Sequence, residues 1–413
     1  MTMLEAIGNQ QSNGRATLGR TPIYRMTMSG QEMSDIRVLD TTISLGENAH
    51  DTAVLNVSSP DRTGTTGFLD SPISFYYGSA TRTELFCGYV TEVTEEHTDS
   101  GVLVWTMTVV GPTKEMQKGK PRFLTQRTIP SAVEALVYRS YLGYAGHAQE
   151  HVWPTLAQTE GSDWQMITKL ATRSGWSIYN RYGVVMLYDP LTLFKENGVA
   201  AVLISEAYQL AKDGLDQERS LLEFIPEEES ESSAAQQGYK VAYFNGTGVE
   251  ANVQVATQGG EHSSYRFLND FVIRNATEAG IYVGSKDSDA SEWPQKAGAR
   301  ILGNATLFPG MSVEVLTLNT RFFPGKFNGR WLISAVQHKM DQQSFQTNLV
   351  LARPDSTTQV YTGAYAPFWQ PLGRSRPTLM VSQSNGQTEG DTPAATAGTW
   401  VSSWTNPTVG SAM

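Results

Sequence analysis

If this chain does chemistry, few residues could carry it. His147-Ala-Gln-Glu-His151 matches H-x-x-E-H, the pattern in which two histidines and a glutamate hold zinc and activate water. Both imidazoles reach one metal only from one face of an unbroken helix. Gly143 and Gly146 precede the run and Trp153-Pro154 follows it, so no such helix is expected there. The other histidines, His50, His97, His262 and His338, lack ligand spacing. The single cysteine, Cys87, lies in the apolar run 85–90 with no base assigned to it, the setting of an inert buried thiol. No G-x-S-x-G, phosphate-loop or dinucleotide-binding glycine pattern occurs. Paired carboxylates for glycoside hydrolysis leave no local signature, so a cell-wall hydrolase stays as the competing class. The reading assigns no catalytic, cofactor-binding or metal-ligating residue, and expects no cofactor and no enzyme.

Charge narrows the partners. Over 413 residues the formal net charge is −10, and no stripe of Lys and Arg offers a phosphate-neutralising surface. Lys114, Lys118, Lys120, Arg122 and Arg127 form the one basic cluster, read as a solvated linker or a contact to an acidic neighbouring subunit. No apolar run approaches the roughly 18 residues that span a bilayer, and the start of the chain lacks a signal-peptide pattern. The expectation is a soluble protein, made in a cytoplasm, without membrane insertion.

The elements around these residues read as mainly β. Charged residues are 17%, with 37 Gly and 18 Pro, and Thr, Ser and Val recur throughout. The clearest local structure is 158–190. Ser162 with Gln165 has the form of a capping box, Trp164, Ile167, Leu170 and Ala171 follow at helical spacing, and Gly175 can take a left-handed C-terminal cap. Two β-prone runs, 176–179 and 184–188, then read as a hairpin.

On either side the pattern alternates. Leu85, Cys87 and Tyr89, then Leu103, Trp105, Met107 and Val109, place an apolar residue at every second position, the period of a strand with one buried face. Residues 21–110 are thus expected to form a first β-barrel domain, after an amino-terminal arm, 1–20. Residues 111–238 hold a linker and an α+β middle domain with helices from Pro130 and near Asp163. The acidic run 223–233 reads as a domain connection. Residues 239–353 are expected to form a second barrel of related topology, completed by strands after Pro190. A short helix is expected over 294–302. In its carboxyl part, Pro309-Gly310 turns into a strand, Phe327-Asn-Gly329-Arg-Trp331 opens the next, and Phe345, Thr347, Leu349 and Leu351 alternate. Residues 354–413, rich in Ser, Thr, Gly, Pro and Gln with aromatics at Tyr365, Phe368 and Trp369, read as an extended arm that docks on a partner.

The order of these features resembles one family. A Gly-Ser-Asp-Trp helix start at 161–164, Leu170-Ala171, Gly175 and a hairpin ending in Asp189-Pro190 are preceded by Phe86-x-Gly88-x-Val90 and followed by Pro309-Gly310, Phe327-x-Gly329-x-Trp331 and His338. This is similar to the baseplate hub of contractile phage tails, late control protein D, and to the amino-terminal part of type VI secretion spikes. The resemblance implies a homotrimer in which each chain supplies two related β-barrel tube domains. Three chains would then make a pseudo-hexameric ring between a hexameric tail tube and a trimeric central spike, with the middle domain outside it. The implied place is the virion, at the distal end of the tail, among neighbouring baseplate subunits and with DNA passing without specific binding. A secretion spike would normally continue into a repetitive β-helix, and no such repeat occurs.

On this reading Ser162, Trp164, Gln165, Leu170, Gly175, Pro309, Gly310, Gly329 and Trp331 are structural. Lys114, Lys118, Lys120, Tyr365, Phe368 and Trp369 are candidate partner contacts. The channel wall is expected to carry mainly Asp, Glu, Ser, Thr, Asn and Gln, because a basic wall would hold the DNA backbone.

Overall fold

The computed structural model describes residues 24–354 apart from 60–66, 78–82, 98–102, 147–150, 159–160, 197–201, 206–208, 211–216, 219–220, 229–236, 242, 246–248, 252–263, 269–272, 274–275, 293–294, 318–326 and 343. The first half contributes β1 (Tyr24–Met28), β2 (Gln31–Glu32), β3 (Arg37–Gly46), β4 (Thr52–Ser58), β5 (Pro72–Tyr77), β6 (Thr83–His97) and β7 (Leu103–Val110). The middle domain holds β8 (Arg122–Arg127), α1 (Ile129–Arg139), β9 (Gly143–Gly146), β10 (Trp153–Gln158), α2 (Asp163–Arg173), β11 (Ser177–Arg181), β12 (Val184–Tyr188) and α3 (Pro190–Glu196). Then come β13 (Val202–Ser205), β14 (Gln209–Leu210), β15 (Gln217–Glu218), β16 (Leu221–Glu228), β17 (Gln237–Val241), β18 (Tyr243–Asn245), β19 (Val249–Ala251), β20 (Ser264–Leu268) and α4 (Ala276–Glu292). The last strands are β21 (Gln295–Leu302), β22 (Ser312–Leu316), β23 (Gly329–Asp341) and β24 (Phe345–Arg353).

Thirteen of these strands form one sheet, in the order β16-β21-β24-β23-β3-β4-β7-β6-β5-β1-β2, with β22 on β23 and β13 on β22. Two separate barrels were expected, and the structure corrects this: β23 pairs antiparallel with β3 from Ala335↔Gly46 to Asp341↔Asp40 and joins the halves. Each half keeps its own core. Leu55, Val57, Phe75, Trp105, Met107 and Val109 fill the first. Ile204, Leu221, Ala297, Val313, Trp331, Ile333 and Leu351 fill the second. Phe345 and Met340 of β24 and β23 pack into the first core, so the halves share side chains as well as hydrogen bonds.

The two halves repeat one strand order. Pairings β3-β4-β7-β6-β5 recur as β16-β21-β24-β23-β22, all antiparallel. The irregularities recur as well. One bulge skips Leu39 in β3 and another skips Leu222 in β16, while one skips Thr91 in β6 and another Ser334 in β23. Phe86-x-Gly88 lies inside β6, whereas Phe327-x-Gly329 leads into the start of β23.

Several local expectations need correction. Residues 295–302 form a strand rather than a helix: Ala297, Ala299 and Ile301 are two apart, the period of β, and all three are buried. The helix lies just before, as α4. The acidic run was expected to be a connection, yet its first part is β16, whose Leu221 is buried while Glu223 and Glu227 face water. Together with β13 it places strands from 202–228 in the second half. In β6 the buried face carries Phe86 and Val90, with Cys87 and Tyr89 only half-buried, because a register shift opposite Phe75/Tyr76 changes the phase and buries Leu85 beside Phe86.

The middle domain packs α1 and α2 over the three-stranded sheet β11-β12-β9 and the ribbon β10-β8. Ser162 Oγ accepts from Gln165 N and Gln165 Oε1 accepts from Ser162 N, both at 3.1 Å, which caps α2. Its apolar stripe, Trp164, Ile167, Leu170 and Ala171, is buried. Gly175 adopts φ +70 just beyond the helix.

Candidate functional surface

The face of the large sheet that points away from both cores is continuous across the seam. Register places Glu223, Ile225 and Glu227 beside Arg300, Gly298 and Lys296, then Asn348 and Val350, then Gln337 and Ala335. From there it runs to Ser44, Thr42 and Asp40, to Thr52, Val54 and Asn56, to Thr108 and Thr106, and to Glu92, Thr94 and Glu96. Hydroxyl and amide side chains predominate because each strand alternates between this face and a core.

They are bonded to each other across strands. Thr106 Oγ1 donates to Asn56 Oδ1 at 2.7 Å, and Asn56 Nδ2 donates to Asp40 Oδ1 at 2.9 Å. Asn348 Nδ2 donates to Gln337 Oε1 at 3.3 Å, and across the seam Gln337 Nε2 donates to Ser44 Oγ at 3.4 Å. Among the described residues of these rows, the carboxylates Asp40, Glu92, Glu96, Glu223, Glu227 and Asp341 are interspersed with the cations Arg37, Lys296, Arg300 and Lys339. Arg300 pairs with Glu223 at 3.0 Å. The face is therefore polar and mildly acidic, with Val54, Val350 and Ile225 as its exposed apolar exceptions.

The basic cluster lies elsewhere: none of its five residues is on a strand of the large sheet. Lys114 follows β7 in a 3-10 turn, Pro112–Gln117, where its ammonium is 2.8 Å from Asp70 and 5.6 Å from the Tyr89 ring. Arg122 binds Asp163 at 2.9 Å within the middle domain. Lys118 and Lys120 are exposed. Intramolecular pairs thus occupy two of the five residues read as a linker or subunit contact.

The β3–β4 turn, 47–51, fixes the middle domain to the sheet. Tyr179 OH donates to Glu47 Oε2 at 3.1 Å, Ile178 N donates to Asn48 Oδ1 at 3.0 Å, and Asn180 Nδ2 donates to Asp51 Oδ2 at 2.6 Å. His50 stacks on Trp164 with ring centroids 4.6 Å apart. Burial pushes the Asp51 carboxyl up to about 7, against hydrogen bonds from Asn180 and the Gly46 backbone. Beside it is a cavity of about 30 Å³ lined by Cys87, Tyr182, Phe308 and His338 among others. Burial raises Cys87 to about 12, so the thiol stays protonated, and lowers His338 to about 4, so its ring stays neutral. Nothing local in the sequence marked this turn, whose partners lie about 130 residues away.

The remaining singled-out residues hold backbone geometry. Gly310 has φ +86, its N–H donates to Ile333 O at 2.8 Å, and Pro309 beside it is buried. Gly329 has φ +127 at the start of β23. Trp331 is fully buried, donates Nε1–H to Phe327 O at 2.9 Å, and lies 4.4 Å from the Arg353 guanidinium. Of the H-x-x-E-H run, His147 lies outside the described residues and His151 meets the Trp153 ring edge-on at 4.7 Å. Among the described residues no three metal-ligating groups come together, and no helix is long and apolar enough to cross a membrane. Tyr365, Phe368 and Trp369 lie outside the described residues.

The fold is shared with phage tail proteins and with a type VI secretion component of known structure. A tail protein from Neisseria meningitidis MC58 matches with TM-score 0.58 at 10% identity, over 82% of this chain and 98% of its own. The 43 kDa tail protein of prophage MuSo2 from Shewanella oneidensis matches with TM-score 0.57 at 10% identity, over 81% and 99%. A component of the type VI secretion system of E. coli, itself described as similar to phage T4 tail proteins, matches with TM-score 0.52 at 10% identity, over 80% and 77%. No protein-family model matches the chain, and no curated protein matches its sequence.

Proposed function

We propose that this chain is a structural hub subunit of a contractile phage tail baseplate, three copies of which form a ring between the tail tube and the central spike. The observation that carries this reading is the internal repeat: two halves with the same strand order, joined edge to edge with one polar face in common. Three such chains place six similar units around one axis, which suits a six-fold tube on one side and a three-fold spike on the other. The fold shared with tail proteins supports the same role.

The polar, mildly acidic face would line the channel. DNA passes such a wall without being held, because phosphate binding requires clustered cations that release counterions. The role is mechanical rather than catalytic. Mass measurement of the purified chain by light scattering should give a trimer, and negative-stain images should show a ring with a central hole. A protein that remains monomeric, or that clears cell-wall material in a zymogram, would overturn the proposal.

A further inference from the structure

Two residues of the basic cluster are held by acids of the chain itself, Lys114 by Asp70 and Arg122 by Asp163. The others, Lys118, Lys120 and Arg127, are exposed, and none of them makes an ion pair among the described residues. No Asp or Glu occurs from 116 to 133, in a chain whose net charge is −10. A positive patch thus persists against the charge of the whole chain.

Apolar surface lies beside these cations. In the ribbon of β8 and β10, Phe123 pairs with Ala157, Leu124 with Leu156 and Arg122 with Gln158. Leu124 and Leu156 turn inward to the middle-domain core, so Phe123 and Ala157 turn outward. Phe123 is 71% exposed. A single exposed ring is ordinary on a protein surface, but this one stands on the strand between Lys120 and Arg127 and next to a cleft.

The cleft lies at the end of the ribbon where Arg122 pairs with Gln158. It is an open hollow of about 620 Å³ lined by His50, Gln117, Gly119, Gly161, Trp164 and Gln165. Its walls are fixed. A side chain at Gly119 would collide with Gly161 O, so the loop that carries Lys118 and Lys120 sits hard against the turn before α2. Gln158 Nε2 donates to Gly161 O at 3.2 Å and to Asp163 Oδ1 at 3.0 Å, which ties the ribbon to the same turn. His50 Nδ1 lies 2.8 Å from Thr113 Oγ1, and the ring is stacked on Trp164. Cations, exposed ring and cleft therefore share one preorganised scaffold, and a partner that binds there orders little of it.

We infer that this surface docks an acidic segment of a neighbouring protein, with carboxylates at Lys118, Lys120 and Arg127 and an apolar side chain over Phe123. That the neighbour is a baseplate protein rests on the hub role proposed above; the surface itself does not. Charge complementarity selects the partner, and covering Phe123 supplies affinity that exposed ion pairs alone lack. A second copy of the chain would have to present its acidic sheet face, which the ring turns to the channel. Nucleic acid fits less well, because so few free cations release few counterions, and the net charge of −10 repels the rest of a strand.

Fluorescence anisotropy on the full chain tests this with short labelled peptides. A peptide alternating Glu and Val should bind, and the same peptide with Lys in place of Glu should not. Lys118→Ala with Lys120→Ala and Arg127→Ala should weaken binding about tenfold, and raising salt from about 0.05 M to about 0.5 M should do the same. Phe123→Ser alone should weaken it by about threefold to tenfold. All four side chains are exposed, so these variants should keep the melting temperature of the wild type. Failure of the acidic peptide to bind, equal binding of the basic one, indifference to the substitutions, or tighter binding of single-stranded DNA would each overturn the inference. Light scattering on the same samples reads the ring separately. A trimer that ignores the peptide removes the surface and leaves the hub role standing, whereas a monomer that binds it keeps the surface and removes the hub.

Discussion

Asp51→Asn should make the protein more stable at neutral pH and change little in acid. Asp51 is almost wholly buried between the sheet and the middle domain, and burial raises its carboxyl from 3.8 to about 7. Two buried oxygens there, Asp51 Oδ1 and Asn180 Oδ1, have no donor, and a proton on Asp51 supplies one. A raised acid pKa means that the folded state holds a proton the unfolded chain releases. The stabilising contribution is complete below about pH 4 and is lost as pH rises from about 4 to about 7. A shift of about 3 units is worth on the order of 4 kcal/mol. His338 acts in the opposite sense: burial lowers it from 6.5 to about 4, so its neutral ring costs stability as pH falls between those values. The wild-type profile alone is therefore flattened between about pH 4 and 6.5. The difference between variant and wild type isolates Asp51. Urea unfolding at intervals from pH 4 to 9 should show the Asn variant gaining up to about 4 kcal/mol, all of it by about pH 8. A difference that does not change with pH would refute the buried, protonatable carboxyl.

Leu170→Ala should cost about 2 to 5 kcal/mol, because the side chain is buried in the middle-domain core, and an unchanged melting temperature would place the α2 stripe in water. Glu278→Ala should destabilise the protein by removing the buried carboxylate 3.5 Å from the Arg173 guanidinium, and calorimetry reads this directly. His147→Ala with His151→Ala should leave metal content and assembly unaltered, and bound zinc that vanishes in the double variant would restore the metal-site reading. The assembled ring should show no tight, salt-sensitive DNA binding in a filter or anisotropy assay, since the sheet face carries more acids than cations.

Local signals in the sequence were sufficient for local structure. Ser162 and Gln165 cap α2 because a capping box is complete within four residues. The alternation in β7 and β24 marked strands with one buried face because period 2 is a property of the extended backbone itself. The same alternation gives each of these strands a second face, and in the structure that face is largely polar.

Phase and pairing were decided only by the tertiary structure. A single register shift in β5–β6 changed which residues of β6 face the core, and period 2 without knowledge of the shift assigns them to the wrong side. Residues 295–302 carry small apolar residues that suit either helix or strand, and β24 on one side with β16 on the other made them a strand. The acidic run became a strand because its alternate residues meet Ala297, Ala299 and Ile301, contacts some 75 residues away. The β3–β23 seam and the Asp51–Asn180 contact join residues about 130 to 300 apart, and no window of sequence contains both partners. Propensity acts within a few residues, whereas a sheet edge or a buried carboxyl acquires its partner only when the whole chain has folded.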